Sequence, residues 1–173
     1  MRLALILFLM VSPVMVSGVT ISSNIKGTTS QVARLQKIIK VVEKIINSGE
    51  FAKKVSGSTY KDYYAKGGDV IRKIKASNWE LDLSVERHCE DKICDNLGWT
   101  YPNKKTIYFN DRGYTKSDKS KFDERSDSGI AGTICHEKMH KLGYDHKKAS
   151  SLNSVPYSLG TLCALLYGKY EKE

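Results

Sequence analysis

His136-Glu137-Lys138-Met139-His140-Lys141-Leu142-Gly143-Tyr144-Asp145-His146 contains three of the chain's four histidines. At this chain's own residue frequencies, three His, the Glu and the Gly fall at these spacings in roughly one sequence in 10⁵, so the motif is specific. The stretch before it, Asp127-Ser128-Gly129-Ile130-Ala131-Gly132-Thr133-Ile134-Cys135, predicts a helix capped by Asp127 or Ser128 and running through Leu142. On that helix His136 and His140 are i,i+4 neighbours, and both imidazoles aim from one face at a single ion. Glu137 stands about 100° round from His136, outside the ligand row but within reach of a water on the metal. Gly143 supplies a left-handed stop. The chain then turns back to offer His146 as a third ligand from outside the helix.

The other helix positions agree with that reading. Gly129, Gly132 and Thr133 share the ligand face and keep it small. Cys135, Met139 and Leu142 form a separate apolar strip directed at the core, while Lys138 and Lys141 fall on the remaining side and read as solvated. Three neutral nitrogens with one open position describe a catalytic site for one zinc ion; a closed structural site would want a fourth protein ligand. Zinc lowers the pKa of bound water toward about 7, and Glu137 is placed to act as general base and acid. The chemistry expected is peptide-bond hydrolysis.

Outward from the motif, the chain reads as one mixed α/β unit. Leu35, Ile38, Ile39, Val42, Ile45 and Ile46 recur at helical spacing from Val32 and are closed by Asn47-Ser48-Gly49, with possible caps at Thr29 and Ser30 after a polar lead-in from Ser22. Asp69 to Ser77 adds a shorter helix. Trp79, Leu81, Leu83 and Val85 alternate with Glu80, Asp82, Ser84 and Glu86, the pattern of a half-buried strand. His88 after it reads as structural or merely exposed. Thr106 to Asn110 predicts a short strand, residues 111–128 a long exposed loop, and Ser158 to Tyr170 a last helix. There is no internal repeat and no low-complexity linker.

At 173 residues, with 40% hydrophobic and 27% charged, the chain suits one domain and is neither fibrous nor disordered. The net charge of +9 is spread along the chain, with no more than two adjacent Lys or Arg. A nucleic-acid stripe would cluster them among aromatics, so no nucleic-acid partner is expected. Arg2 followed by an apolar run from Leu3 to Val16 resembles a secretory signal cleaved near Gly18–Val19. The run is 14 residues long, short of the roughly 20 that span a bilayer. The expectation is a signal peptide over 1–18, a catalytic domain over 19–173, no membrane span, and a secreted product, extracellular or periplasmic. In an oxidising compartment four cysteines allow three pairings. The reading favours Cys89–Cys94, closing the loop CEDKIC, with Cys135–Cys163 tying two late helices. A zinc site at Cys89 and Cys94 is the weaker alternative, because no second ligand pair lies at a suitable spacing.

HEKMHKLGYDH resembles the metzincin motif HExxHxxGxxH at all five defining positions. The resemblance implies His136, His140 and His146 as zinc ligands and Glu137 as general base. It also implies an α/β catalytic domain: a twisted, mostly parallel sheet, a backing helix, an active-site helix and a C-terminal helix. Its cleft would run along an edge strand, for which Thr106–Asn110 is the candidate. One departure is that metzincins carry a methionine in a tight turn beneath the zinc, whereas here Ser154-Val155-Pro156 occupies the corresponding place, with Val155 or Pro156 where the methionine would be. Tyr157 then resembles the tyrosine that some families place near zinc, where its hydroxyl stabilises an oxyanion. No propeptide-sized segment lies between the signal and the first helix, and no upstream cysteine is placed to cap the metal. The expected protein is a divergent, minimal, monomeric zinc endopeptidase acting on protein or peptide substrates. The competing readings are a zinc-dependent amidase acting on cell-wall peptides and a secreted, non-catalytic zinc-binding module.

Overall fold

A computed structural model describes residues 18–60, 65–86, 98–101, 105–111, 121–146 and 153–173. In chain order these form β1 (Ile21–Lys26), α1 (Thr29–Asn47), α2 (Gly49–Ser56), α3 (Gly67–Ala76), β2 (Trp79–Glu86), β3 (Gly98–Thr100), β4 (Thr106–Asn110), a 3-10 turn (Phe122–Glu124), α4 (Asp127–Lys141) and α5 (Val155–Tyr170). The architecture is α/β, with one four-stranded sheet in the order β1-β2-β4-β3. β2 pairs in parallel with β1 and β4, and β3 closes the sheet antiparallel to β4. The expected signal segment, His88 and the Cys89–Cys94 pairing lie outside the described residues, apart from Gly18.

The alternation in β2 decides which side of the sheet carries the core. Trp79, Leu81, Leu83 and Val85 are buried; of the alternate positions Glu80 and Glu86 are exposed, Asp82 is half-buried and Ser84 is buried. Ile107 and Phe109 of β4 join the same layer, against the stripe Leu35, Ile38, Val42 and Ile45 of α1. Fully burying a side chain of this size stabilises the fold by about 1.5–3 kcal/mol. Helix α1 also packs on β1, α4 and α5, and so backs both the sheet and the helix that carries the histidines.

Several boundaries differ from the sequence expectation. Helix α1 is capped one residue earlier than expected, by Thr28. Its side chain accepts from the Gln31 amide, while the Gln31 side chain accepts from the Thr28 amide, making a capping box. Ser48 ends α1 and also caps α2, accepting from the Phe51 amide at 3.1 Å, so Gly49 opens a helix instead of a loop. The polar lead-in is strand β1. Its weak apolar pattern is that of an edge strand whose flanks are held by side chains of α1: Asn47 bonds both the amide and the carbonyl of Val19, and Glu43 accepts from the Ile21 amide at 2.7 Å. The described part of 111–128 is also not an exposed loop, because Phe122 is fully buried edge-on against Phe109.

The strand expected at the sheet edge is not there. Thr106–Asn110 is β4, flanked by β2 on one side (Leu83 opposite Ile107) and by β3 on the other (Trp99 opposite Tyr108). With Ile107 and Phe109 fully buried it is an interior strand, and the edge on that side is Gly98–Thr100.

Candidate metal centre

Helix α4 starts one residue earlier than the sequence suggests. Ser126, in extended conformation, is the N-cap, and its hydroxyl accepts from the Gly129 amide at 3.1 Å. Asp127 is thereby freed to meet Arg34 of α1 at 2.7 Å. The same guanidinium donates to the carbonyl of Phe122 at 2.9 Å and to that of Arg125. Arg125 is itself buried and donates to the Gly129 carbonyl and the Thr133 hydroxyl. Burial pulls its pKa down to about 10, with Arg34 adding repulsion. Two arginines thus anchor the first turns of α4, a role that nothing in the local sequence signals.

At the other end, Leu142 caps the helix and Gly143 takes φ +83°, the left-handed stop expected. The Gly143 amide donates to the His140 carbonyl and the Tyr144 amide to the Met139 carbonyl. This turn positions the Tyr144 carbonyl 2.8 Å from Nδ1 of His140. A carbonyl only accepts, so Nδ1 of His140 carries the proton, and Nε2 of the neutral ring presents a lone pair.

The three motif histidines come together at their Nε2 atoms. His140 to His136 is 3.3 Å, His140 to His146 is 3.0 Å and His136 to His146 is 3.2 Å. Tetrahedral ligands at the usual zinc–nitrogen distance of about 2.0–2.1 Å stand ~3.3–3.4 Å apart. The triangle is therefore close to the size a bound ion requires. Hydrogen bonding among the rings cannot account for it. Each Nε2 carries either one proton or one lone pair, so three of them cannot all be satisfied by one another. The three residues fit a metal ion, and they are half-buried. Burial, with repulsion from the other two rings, lowers the pKa of His136 to about 3 and keeps the ring neutral. Burial also lowers that of His140, against the Tyr144 carbonyl bond that raises it.

Glu137 faces the same cleft from a buried position, and burial pushes its carboxyl up to about 7, with Lys141 pulling the other way. The cleft measures about 850 Å³. Its walls are β3 with Tyr101, the ligand face of α4, and Tyr157, Gly160, Thr161 and Ala164 of α5. Gly129, Gly132 and Thr133 line it as expected.

Tyr157 also reaches the site, but by a different route. Ser154-Val155-Pro156 is not a separate turn. Ser154 is the N-cap of α5, and Val155 and Pro156 form its buried first turn, where a proline is tolerated. The helix therefore begins three residues before Ser158. Tyr157 stands edge-on to His136, with ring centroids 4.7 Å apart, and tilted against His146 at 4.4 Å.

The core-facing strip of α4 is as expected: Cys135 and Met139 are buried, Leu142 packs at the margin, and Cys135 is bonded to Cys163 of α5. The lysines are a correction. Lys138 is 5% exposed, its Nζ donating to the Asn78 carbonyl at 2.6 Å and lying 5.3 Å from the centre of the Trp79 ring. Lys141 is half-buried and lines the cleft. Helical spacing placed both away from the core strip, but β2 with its preceding turn packs on that side as well. Ser154, expected only as part of the turn, is fully buried and holds its hydroxyl 3.3 Å from Nδ1 of His146. Comparison of the chain with protein families, with curated proteins and with solved structures finds no match.

Proposed function

We propose that this chain is a secreted, zinc-dependent endopeptidase of metzincin type. The observation that carries the reading is the triangle of His136, His140 and His146 Nε2 atoms at 3.0–3.3 Å, open to a cleft that Glu137 also faces. His136, His140 and His146 would hold one zinc ion, which would supply an acidified water and polarise a carbonyl. Glu137 takes the proton of the attacking water and passes it to the amide nitrogen as the C–N bond breaks. Burial raises the proton affinity of the Glu137 carboxyl, the direction a general base needs. Tyr157 donates its hydroxyl to the oxyanion that forms at the attacked carbon. Strand β3, the outermost strand on that side among the described residues, lines the cleft wall along which an extended peptide would lie. The Cys135–Cys163 disulfide is compatible with an oxidising compartment, and among the described residues no helix is long and apolar enough to cross a membrane.

The test is a mixed-peptide and casein digest with the zinc-loaded chain, its Glu137→Gln variant and a chelated sample. Cleavage by the loaded chain alone, with Glu137→Gln still holding one equivalent of metal and slower by several orders of magnitude, is the expected result. Near wild-type cleavage by Glu137→Gln would reject the mechanism. Metal binding with no turnover of proteins, peptides or cell-wall peptides would leave a non-catalytic zinc module.

A further inference from the structure

Two of the three histidines, His136 and His140, are set by one helix. The third, His146, lies beyond the left-handed stop, and a side chain from another element fixes its ring. Ser154 is fully buried at the head of α5, with Oγ 3.3 Å from Nδ1 of His146 and 3.4 Å from the amide of Tyr157. For Nε2 of His146 to present a lone pair beside the other two, its neutral ring must carry the proton on Nδ1. That proton then points at Ser154. A serine hydroxyl accepts two hydrogen bonds. Here Nδ1–H of His146 and N–H of Tyr157 take both places.

We infer that Ser154 is a positioning residue for the metal centre, its hydroxyl fixing the tautomer and orientation of His146 while capping the helix that carries Tyr157. The inference rests on the metal-binding reading of the three histidines and adds to it. It also closes a mechanical circuit. Cys135, next to His136, is bonded to Cys163 on α5, and the head of α5 is bonded back through Ser154 to His146. The three ligands are therefore referred to a single pair of helices. Hydrogen-bond partners of metal-ligating histidines typically govern metal affinity by 10–100-fold.

Glycine is nearly as good an N-cap as serine, whereas alanine is markedly worse. Ser154→Gly therefore removes the bond to His146 and leaves α5 nearly intact, and Ser154→Ala removes both. Zinc affinity is measured by competition with a chromophoric chelator. The visible spectrum of the cobalt(II)-substituted protein and the metal-free melting temperature are recorded alongside, with His140→Ala as control. The expected result is a 10–100-fold loss of affinity of similar size in both variants, an altered cobalt spectrum, and a melting temperature for Ser154→Gly close to wild type. If Ser154 served the helix alone, affinity would follow stability, and Ser154→Gly would bind zinc as the wild type does. That result, with His140→Ala unable to bind, overturns the role of Ser154 and leaves the metal centre standing. Failure of the wild-type chain to bind zinc or cobalt overturns both.

Discussion

Gly132 of α4 and Gly160 of α5 meet backbone to backbone: a Cβ on either would stand 2.9 Å from the other's carbonyl oxygen. The sequence reading gave Gly132 the task of leaving room for metal and substrate. The structure adds a second task, because the helix crossing needs hydrogen at both positions. A Cβ on Gly160 would also stand 3.1 Å from Cβ of His136, so this crossing sets the depth of the first ligand.

Gly132→Ala and Gly160→Ala gain about 1 kcal/mol of helix propensity but force apart atoms that have no flexible end to yield, at roughly 1–3 kcal/mol. Both should be destabilised on balance, by up to about 2 kcal/mol. Gly168 has nothing within 4 Å of its added Cβ, and Gly168→Ala should be more stable by ~0.5–1 kcal/mol. Urea midpoints check the three signs. A stabilised Gly160→Ala would mean that the helices are not in close contact there.

Arg34 bonds Asp127 and the carbonyls of Phe122 and Arg125 from a position 24% exposed. Arg34→Ala removes one donor from the Asp127 carboxylate and from the Phe122 and Arg125 carbonyls, of which the Phe122 carbonyl keeps the Arg125 amide, and should cost about 1–3 kcal/mol. Arg34→Lys should recover only part of this, since an ammonium cannot present the guanidinium's fork of donors. Equal denaturation midpoints for Lys and Arg would reduce the contact to simple charge.

The Cys135–Cys163 bridge closes a separation of 28 residues, for which chain entropy gives a stabilisation of about 3–4 kcal/mol. Cys135→Ala with Cys163→Ala should lower stability by that order. Both cysteines are almost wholly buried, so the bond should survive a mild reductant in the native protein and break only once denaturant is added. Peptide mapping without reductant should return the 135–163 linkage, and a 135–89 or 135–94 linkage would contradict the helix pairing.

Tyr157→Phe keeps the ring against His136 and His146 and removes only the hydroxyl. Loss of one oxyanion donor costs about 10²–10³ in kcat. The variant should therefore lose kcat and kcat/KM together, with KM, metal content and melting temperature unchanged. Wild-type kinetics would make Tyr157 a packing residue, 42% exposed at the cleft wall.

What could be read from the sequence was whatever depends on one element's own periodicity. The i,i+4 spacing of His136 and His140, the stop at Gly143, the alternation of β2 and the apolar stripe of α1 are each set by residues within a few positions of one another. The same local geometry put Cys135 and Cys163 on the buried faces of two helices, which favoured pairing them, and the packing of those helices made the bond. Tertiary structure decided the rest, because each remaining feature joins residues far apart in the chain. Whether Thr106–Asn110 lies inside the sheet or at its edge depends on where Gly98–Thr100 pairs. Whether Lys138 is solvated depends on Asn78 and Trp79, some 60 positions away. Ser154 is an ordinary helix cap by local rule, and it becomes a partner of His146 only when α5 packs on α4. A helix fixes the direction of its own side chains through its backbone hydrogen bonds, but what each one meets is decided by the packing of other elements.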